Sequence, residues 1–373
     1  MMKRSRAFVL VELLTTMLLQ AGFILVMCVS FYMLASFYTK TQQLLTAKDH
    51  ADRVILFFED KIIHAGLGLW RCANSGVVRA RFDKFNEIRS KTANNAKYIL
   101  PIAVRTRQNQ DEDTGSTYRP DSVANGGVYA GNMLVFLYAE RDISSGSGGT
   151  NLIISADTEW SNKDAQTIIN TFQLIDTDPD NNLNNSDFDR DNTNNTNIKR
   201  YAVMETAGVP IYLENIDTTN HRITCKVFGT SAYKPEKNIA LTGELMYLKC
   251  MRLFTRGNLN KNQERQFAFR ELKTDGTGWE NTYNQEEGVL EIHMELDTNT
   301  NIFTLWVMGT GGVDYTINTS RPATWPEDAH PTPSEWNSDD SDNLYRLYKH
   351  SVVYVSRASW KLNNIPAGFD WTK

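Results

Sequence analysis

The segment 176–197, DTDPDNNLNNSDFDRDNTNNTN, has the most unusual composition in the chain. Six side chains with oxygen donors fall at positions 1, 3, 5, 7, 9 and 12 of a twelve-residue loop: Asp176, Asp178, Asp180, Asn182, Asn184 and Asp187. Alternating oxygen ligands at this spacing can wrap a Ca²⁺ ion, which accepts about six to eight oxygens. The sequence therefore predicts a calcium site here, with a solvated loop that repels its own charge as the alternative interpretation.

Residue types that enzymes use are present, but they do not form a familiar catalytic pattern. The six histidines are scattered, without an HExxH motif or a spacing typical of paired metal ligands. The sequence contains neither a GxxxxGK[ST] phosphate loop nor a GxSxG nucleophile elbow. Two glycine-rich runs, 145–149 and 309–312, are predicted to be turns, and nothing singles out carboxylates such as Glu244 or Glu291. We therefore expect a protein that is not an enzyme, with an exported, anchored enzyme as the alternative.

Composition and charge limit the class of protein further. The chain has 373 residues, enough for one large domain or two modest ones. Its 39 basic and 44 acidic residues give a formal net charge of -5. That balance lacks the basic character of a dedicated nucleic-acid binder, so no specific nucleic-acid partner is expected.

Residues 8–38 form a long apolar run, FVLVELLTTMLLQAGFILVMCVSFYMLASFY, whose single charge is Glu12. As a helix this run would be roughly 46 Å long, more than a membrane core of about 30 Å requires. The basic residues in the preceding MMKRSRA predict a cytoplasmic N-terminus and export of the rest. A cleaved signal peptide has a shorter apolar region and a small-residue cleavage site, so it fits poorly. A plain membrane anchor leaves Glu12 unexplained, because a carboxylate in lipid usually has a partner.

The residues around Glu12 resemble a known family. The basic leader, Ala7 and then the run Phe8–Leu14 are similar to the N-terminal signal of type IV pilins and pseudopilins. The resemblance implies that a prepilin peptidase cuts between Ala7 and Phe8 and methylates the new amine of Phe8. It also implies that Glu12 of one subunit neutralises the Phe8 amine of a neighbour in a filament, since two buried opposite charges cost less together than apart. Loss of the three basic residues in 1–7 would change the net charge to -5 - 3 = -8.

The helix is predicted to continue beyond the membrane, from Phe8 to Ala65, over about 87 Å. From Thr39 onward, apolar residues recur three or four positions apart and define one helix face. They are Leu44, Ala47, Ala51, Ile55, Phe58, Ile62 and Ala65. Gly66 and Gly68 predict the end of the helix, and Gly22 is predicted to be a point where it can kink or melt.

The remainder of the chain has the pattern of short strands separated by turns, without a regular βαβ alternation. Eleven runs have this pattern: 98–104, 128–139, 151–155, 168–175, 209–214, 221–228, 239–254, 266–272, 289–296, 302–308 and 344–360. For the last run, a short helix is the alternative interpretation. We therefore predict an α+β fold, in which a long N-terminal helix packs on a β-rich antiparallel domain. The predicted segments are a leader (1–7), a membrane and filament-core helix (8–38), its amphipathic continuation (39–66) and a periplasmic or extracellular body (67–373).

One cysteine lies in the predicted membrane helix and three lie in the predicted exported body. Cys28 lies in the apolar run and is predicted to be a buried packing residue. Cys72, Cys225 and Cys250 would lie outside the cytoplasm, where disulfides form. Cys225 and Cys250 occupy consecutive strand-like runs, so we predict that they form a disulfide. Cys72 is the alternative partner for either one, and three reduced, buried thiols are the remaining interpretation.

The run His64–Cys72, with Ala-Gly, an aromatic residue and a cysteine after the long helix, resembles the minor pilins of the PilW family. That resemblance implies a non-catalytic subunit that helps to initiate, assemble or cap a pilus filament. Its partners would be prepilin peptidase, the inner membrane and other major and minor pilins, first at the membrane and then in the periplasm or at the cell surface. A type II secretion pseudopilin and an adhesin displayed on the pilus are the alternatives.

Overall fold

The computed structural model describes the N-terminal helix and the principal strands of the body. The described residues are 3–67, 102–105, 133–140, 152–154, 168–176, 201–204, 210–217, 222–227, 243–256, 266–271, 283–315, 317–337 and 348–365. Within these ranges the order of elements is one long helix, twelve strands, a short helix and a final strand. The chain thus has an α+β arrangement.

Helix α1 spans Lys3–Ile63 and is continuous over 61 residues, as the sequence predicted. Its last turn is closed by the amide of Ala65, which donates to the carbonyl of Ile62 at 3.1 Å. Gly66 follows with a φ of 75°, a conformation that glycine adopts without steric cost. The predicted helix end is therefore confirmed, with Gly66 in the position that terminates it.

Every strand pairing is antiparallel. They are β1 (Ile102–Arg105), β2 (Met133–Glu140), β3 (Leu152–Ile154), β4 (Ile168–Asp176), β5 (Tyr201–Met204), β6 (Pro210–Asp217), β7 (Arg222–Val227), β8 (Gly243–Arg256), β9 (Gln266–Glu271), β10 (Tyr283–Glu287), β11 (Val289–Asp297), β12 (Ile302–Val313) and β13 (Ser351–Lys361). Each of the eleven predicted runs overlaps a strand. The pattern missed β5, which has only four residues, and β10, whose sequence YNQEE lacks apolar alternation.

The first sheet contains ten strands, and β8 is the strand around which it is built. The N-terminal part of β8 pairs with β3 and β5, which closes a ring of six strands in the order β8-β3-β4-β7-β6-β5. The C-terminal part of β8 pairs instead with β2 and β9, which carry β1 and β10 on their outer sides. One long strand therefore belongs to two groups of shorter ones.

The second sheet is a meander of β11, β12 and β13, and α1 packs against one of its faces. The glycine-rich run 309–312, which was predicted to be a turn, lies inside β12. That prediction is wrong, because these glycines allow the backbone of α1 to approach the strand closely. Cys28 is exposed on the single chain, in the half of α1 that lacks a partner among the described elements, and its burial stays a prediction.

The main core joins the C-terminal half of α1 to both sheets. Residues of the helix that are fully or almost fully buried in it are Ala51, Val54, Phe58, Ile62 and Ala65. The ring of Phe58 packs at a tilt against that of Phe267 on β9, with centroids 5.5 Å apart, and the ring centroids of Phe57 and Phe269 are 5.3 Å apart. Burial of such side chains contributes about 1.5–3 kcal/mol each, so this half of the helix is an integral part of the body.

Candidate functional site

The N-terminal half of α1 presents a continuous apolar surface without a partner among the described residues. Its large side chains between Leu10 and Tyr38 are 43–77% exposed. Soluble monomers rarely expose apolar patches of more than a few hundred Å², and larger ones mark membrane or protein contacts. By length and composition this is a helix that can cross a membrane. It is the first candidate site of the molecule.

Three hydroxyl side chains of this half donate hydrogen bonds to carbonyls within the helix. The hydroxyl of Thr15 donates to the carbonyl of Val11 at 3.0 Å, and that of Thr16 donates to the carbonyl of Glu12 at 2.6 Å. Ser30 donates in the same way to Val26 at 2.8 Å. Such bonds from a hydroxyl to the carbonyl four residues earlier remove polar groups from contact with an apolar environment.

Glu12 is the one charged residue in the run 8–38. Its side chain is exposed, and no described side chain pairs with it. An ionised carboxylate in an apolar environment is costly without a cation nearby. The backbone of Ala7 and Phe8 belongs to α1, which begins at Lys3, while their side chains lie outside the part that the structure describes. The predicted roles in cleavage and methylation therefore stay predictions.

The C-terminal half of α1 approaches β12 so closely that the strand has no room for side chains. A Cβ atom on Gly309 would lie 2.1 Å from the carbonyl oxygen of Ala47, and one on Gly311 would lie 1.7 Å from that of Gln43. Contacts of this length do not occur, so glycine is required at both positions. The backbone of α1 thus packs directly against the glycines of the GTGG run.

Hydrogen bonds also hold the C-terminal half of α1 against the three-stranded sheet and the residues that follow it. His50 Nδ1 lies 3.0 Å from the carbonyl oxygen of Thr310, and Ser356 of β13 donates to Asp52 Oδ1 at 2.5 Å. At the helix end, Asn364 Nδ2 donates to the carbonyl oxygen of Ile63 at 2.6 Å. This last bond satisfies one of the four carbonyls that a helix terminus leaves without an intrahelical partner.

The other face of the three-stranded sheet is covered by the long connection between β12 and β13. Trp325, Trp336 and Tyr348 from this connection are buried against Trp306 and Met308 of β12. The sheet is therefore buried on both faces. This explains why β11 is buried without alternation from Val289 to Met294, in contrast to a strand with one face in water.

A short helix, α2 (Pro333–Trp336), lies in this connection and is held by a capping box. Glu335 Oε2 accepts a hydrogen bond from the amide of Thr332 at 2.8 Å, and His330 Nδ1 lies 2.8 Å from the same oxygen. Burial alone raises the pKa of Glu335, but the Thr332 amide and the charge of His330 outweigh it and lower that pKa to about 2. The carboxylate is therefore ionised throughout the physiological pH range.

Two groups of ionisable residues lie between this connection and β11, and the spacing in the sequence did not reveal either one. Glu291 is fully buried and accepts a hydrogen bond from the hydroxyl of Tyr348. His293, Glu295 and Asp328 bring one nitrogen and two carboxylate oxygens within 4.8 Å of one another. The period-2 spacing of His293 and Glu295 was the available signal, because alternate residues of a strand share a face.

Most residues of the predicted calcium and disulfide sites lie outside the part of the chain that the structure describes. Asp176 is the last residue of β4, and the other five predicted ligands lie outside the described residues. Cys72 also lies outside them. Cys225 is placed on β7, opposite Asn170 and Leu213, and Cys250 on β8, opposite Leu137. Strands β7 and β8 are not hydrogen-bonded neighbours, and the disulfide stays a prediction.

The N-terminal half of α1 is therefore exposed and apolar, whereas one face of its C-terminal half is buried against the body. One N-terminal helix is long and apolar enough to span a membrane. Comparison of the chain with protein-family models, with curated proteins and with solved structures found no match.

Proposed function

We propose that this chain is a minor type IV pilin, most like the PilW family, that helps to start, assemble or cap a filament without catalysing a reaction. The observation that carries the proposal is the division of α1. The helix is continuous from Lys3 to Ile63, exposes its apolar first half and buries one face of its second half in the body. A filament subunit needs this combination, because the same apolar surface must serve first in lipid and then against neighbouring helices.

Orientation and location follow from the same helix. The basic residues Lys3, Arg4 and Arg6 precede the apolar surface, and basic residues favour the cytoplasmic side. The proposed subunit therefore begins as a single-pass protein of the inner membrane, with the body in the periplasm. After cleavage between Ala7 and Phe8 by prepilin peptidase, it moves into a filament with other major and minor pilins.

Glu12 supports this proposal over a plain membrane anchor. An anchor gains nothing from a carboxylate on its lipid-facing surface, because insertion of an unpaired charge is unfavourable. In a filament, Glu12 would pair with the new N-terminal amine of Phe8 on an adjacent subunit. A buried charge pair of this kind sets the axial register of the subunits.

The test is incorporation of Glu12→Ala into filaments, measured by the amount of this subunit in sheared pili and in the membrane fraction. We expect a normal amount in the membrane and a strongly reduced amount in pili. Glu59→Ala is the matched control, because Glu59 is an exposed carboxylate on the same helix, outside the apolar half. Normal incorporation of Glu12→Ala would contradict the pairing role.

The type of filament is decided by the phenotype of a deletion strain. Loss of pili or of twitching motility is expected for a minor pilin. A block in protein secretion with intact pili would instead indicate a type II secretion pseudopilin, which would share the same helix and the same Glu12.

A further inference from the structure

We propose that His293, Glu295 and Asp328 bind a divalent transition-metal ion, with zinc as the reference ion, on the body of the protein. The inference is independent of the proposed role in a filament. It rests on three donor atoms from two separate elements, β11 and the connection between β12 and β13, that meet at the surface of the three-stranded sheet.

The geometry of the donors is close to that of a metal site. His293 Nε2 and Glu295 Oε1 lie 3.1 Å apart, and all three donor atoms lie within 4.8 Å of one another. Metal–ligand distances of about 2.0–2.2 Å place neighbouring donors roughly 3–3.6 Å apart. Binding of an ion therefore requires the three donor atoms to move closer together, and two of them belong to the exposed carboxylates of Glu295 and Asp328.

The central ligand is held in position by packing. His293 is 8% exposed, and its ring lies 5.4 Å from that of Trp306 on β12 and 6.3 Å from that of Trp325. Glu295, by contrast, reaches solvent, as does Asp328. The site thus has a fixed imidazole at its base and two exposed carboxylates at its mouth, which gives an ion a path from the solvent.

The loop that supplies Asp328 is also fixed. The guanidinium of Arg321 donates to the carbonyl oxygens of Trp325 at 3.1 Å and Pro331 at 2.9 Å, and to that of Pro326. Burial lowers the pKa of Arg321, while the charges of Glu327 and Asp328 oppose that shift. Arg321 thus holds the loop and partly compensates its acidic residues.

The charges favour a cation at this position. Two carboxylates at close range repel each other unless a positive charge stands between them. The indole Nε1 of Trp325, in the ring beside His293, is buried and has no hydrogen-bond acceptor among the described residues.

The set of ligands selects the class of ion. Imidazole nitrogen suits zinc, copper, iron and nickel, whereas calcium and magnesium prefer oxygen ligands alone. Three protein ligands leave at least one position for water. Such an ion would join β11 to the β12–β13 connection and stabilise the cover on that face of the sheet.

The experiment is titration with ZnCl₂ of the full chain, purified in detergent without a polyhistidine tag and stripped with EDTA. Bound zinc per chain and the zinc-dependent shift in Tm are measured, together with the visible spectrum of the Co²⁺ form. We expect about one zinc ion per chain and a higher Tm. Asp328→Asn and Glu295→Gln should each weaken binding by at least roughly tenfold, since the loss of even an outer-shell partner costs about 10–100-fold.

Glu327→Gln is the matched control, because it removes the same charge from the residue next to Asp328, and it should bind zinc as the unaltered protein does. The three variants are chosen at exposed positions, and equal Tm values in EDTA show that each one folds. Absence of zinc binding by the unaltered protein would overturn the proposal, as would preference for Ca²⁺ over Zn²⁺. Equal zinc affinity in Asp328→Asn, or an equal loss in Glu327→Gln, would also overturn it.

Discussion

The two halves of α1 share one backbone but differ in what surrounds them. Between Leu10 and Tyr38 the large side chains are exposed all round the helix, whereas from Ala47 onward one face is buried against the body. The first half is apolar on every face, and the second has a stripe of apolar residues beside charged ones such as Asp49 and Arg53. The comparison shows that hydrophobicity on all faces indicates an external partner, while a stripe indicates a partner within the chain.

Replacing matched aromatic residues in the two halves should give the largest difference. Phe58→Ala removes a fully buried ring from the core and should lower the free energy of unfolding by about 3–5 kcal/mol. Phe31→Ala alters an exposed ring of the first half and should change it by less than about 0.5 kcal/mol. Denaturant unfolding of the full chain in detergent, followed by tryptophan fluorescence, measures both, because all eight tryptophans follow residue 66. Equal effects would contradict the division of the helix.

Adding a methyl group to a glycine should sharpen the same comparison. Gly311→Ala places a Cβ against the carbonyl of Gln43 and should destabilise the body by about 1–3 kcal/mol or more. Gly22→Ala places one where nothing lies within 4 Å and should favour the helix by about 0.5–1 kcal/mol. The same unfolding measurement compares them. A neutral Gly311→Ala would show that α1 does not sit on β12 as described.

Acid should loosen the covered face of the sheet and leave the exposed half of α1 unchanged. The pKa of Glu335 is lowered to about 2 from its usual 4.5, so its contribution is complete above about pH 4.5 and is lost as the pH falls toward 2. Glu335→Gln should cost about 0.5–2 kcal/mol at pH 7 through loss of the capping box. It should also reduce the decline in stability between pH 4.5 and 2. Helical circular dichroism and tryptophan fluorescence, measured across this range, separate the helix from the body.

Much of the helix could be predicted from the sequence, because the spacing of apolar residues within a helix repeats over three or four positions. The period of 3.6 residues identified Ala47, Ala51, Phe58 and Ile62, all of which are buried. Leu44 was also predicted to face the body, but it is exposed. Near this residue the helix leaves the sheet, since Gln43 lies against Gly311 and β12 ends soon after, at Val313. Periodicity thus predicts which face is apolar but not where the partner ends.

Other features depend on pairs that are distant in the sequence, and these could not be predicted. The GTGG run 309–312 has the composition of a turn, and only the presence of α1 makes glycine necessary in a strand. Asp328 meets His293 because the connection between β12 and β13 folds back over the sheet. The spacing of residues along the chain does not predict that this connection folds back over the sheet. Strand β10 was missed because pairing with β9, rather than an apolar pattern of its own, holds it in place.

We propose that the exposed half of α1 packs against other subunits in a filament and is not a plain membrane anchor. Mass spectrometry of the mature N-terminus, after co-expression with a prepilin peptidase, tests it most directly. We predict a chain that begins at Phe8 with a methylated amine, which would leave only the type of filament to determine. A chain that still begins at Met1 or Met2 would contradict the claim, and the protein would then be a membrane-anchored receptor or enzyme with a coincidental Glu12.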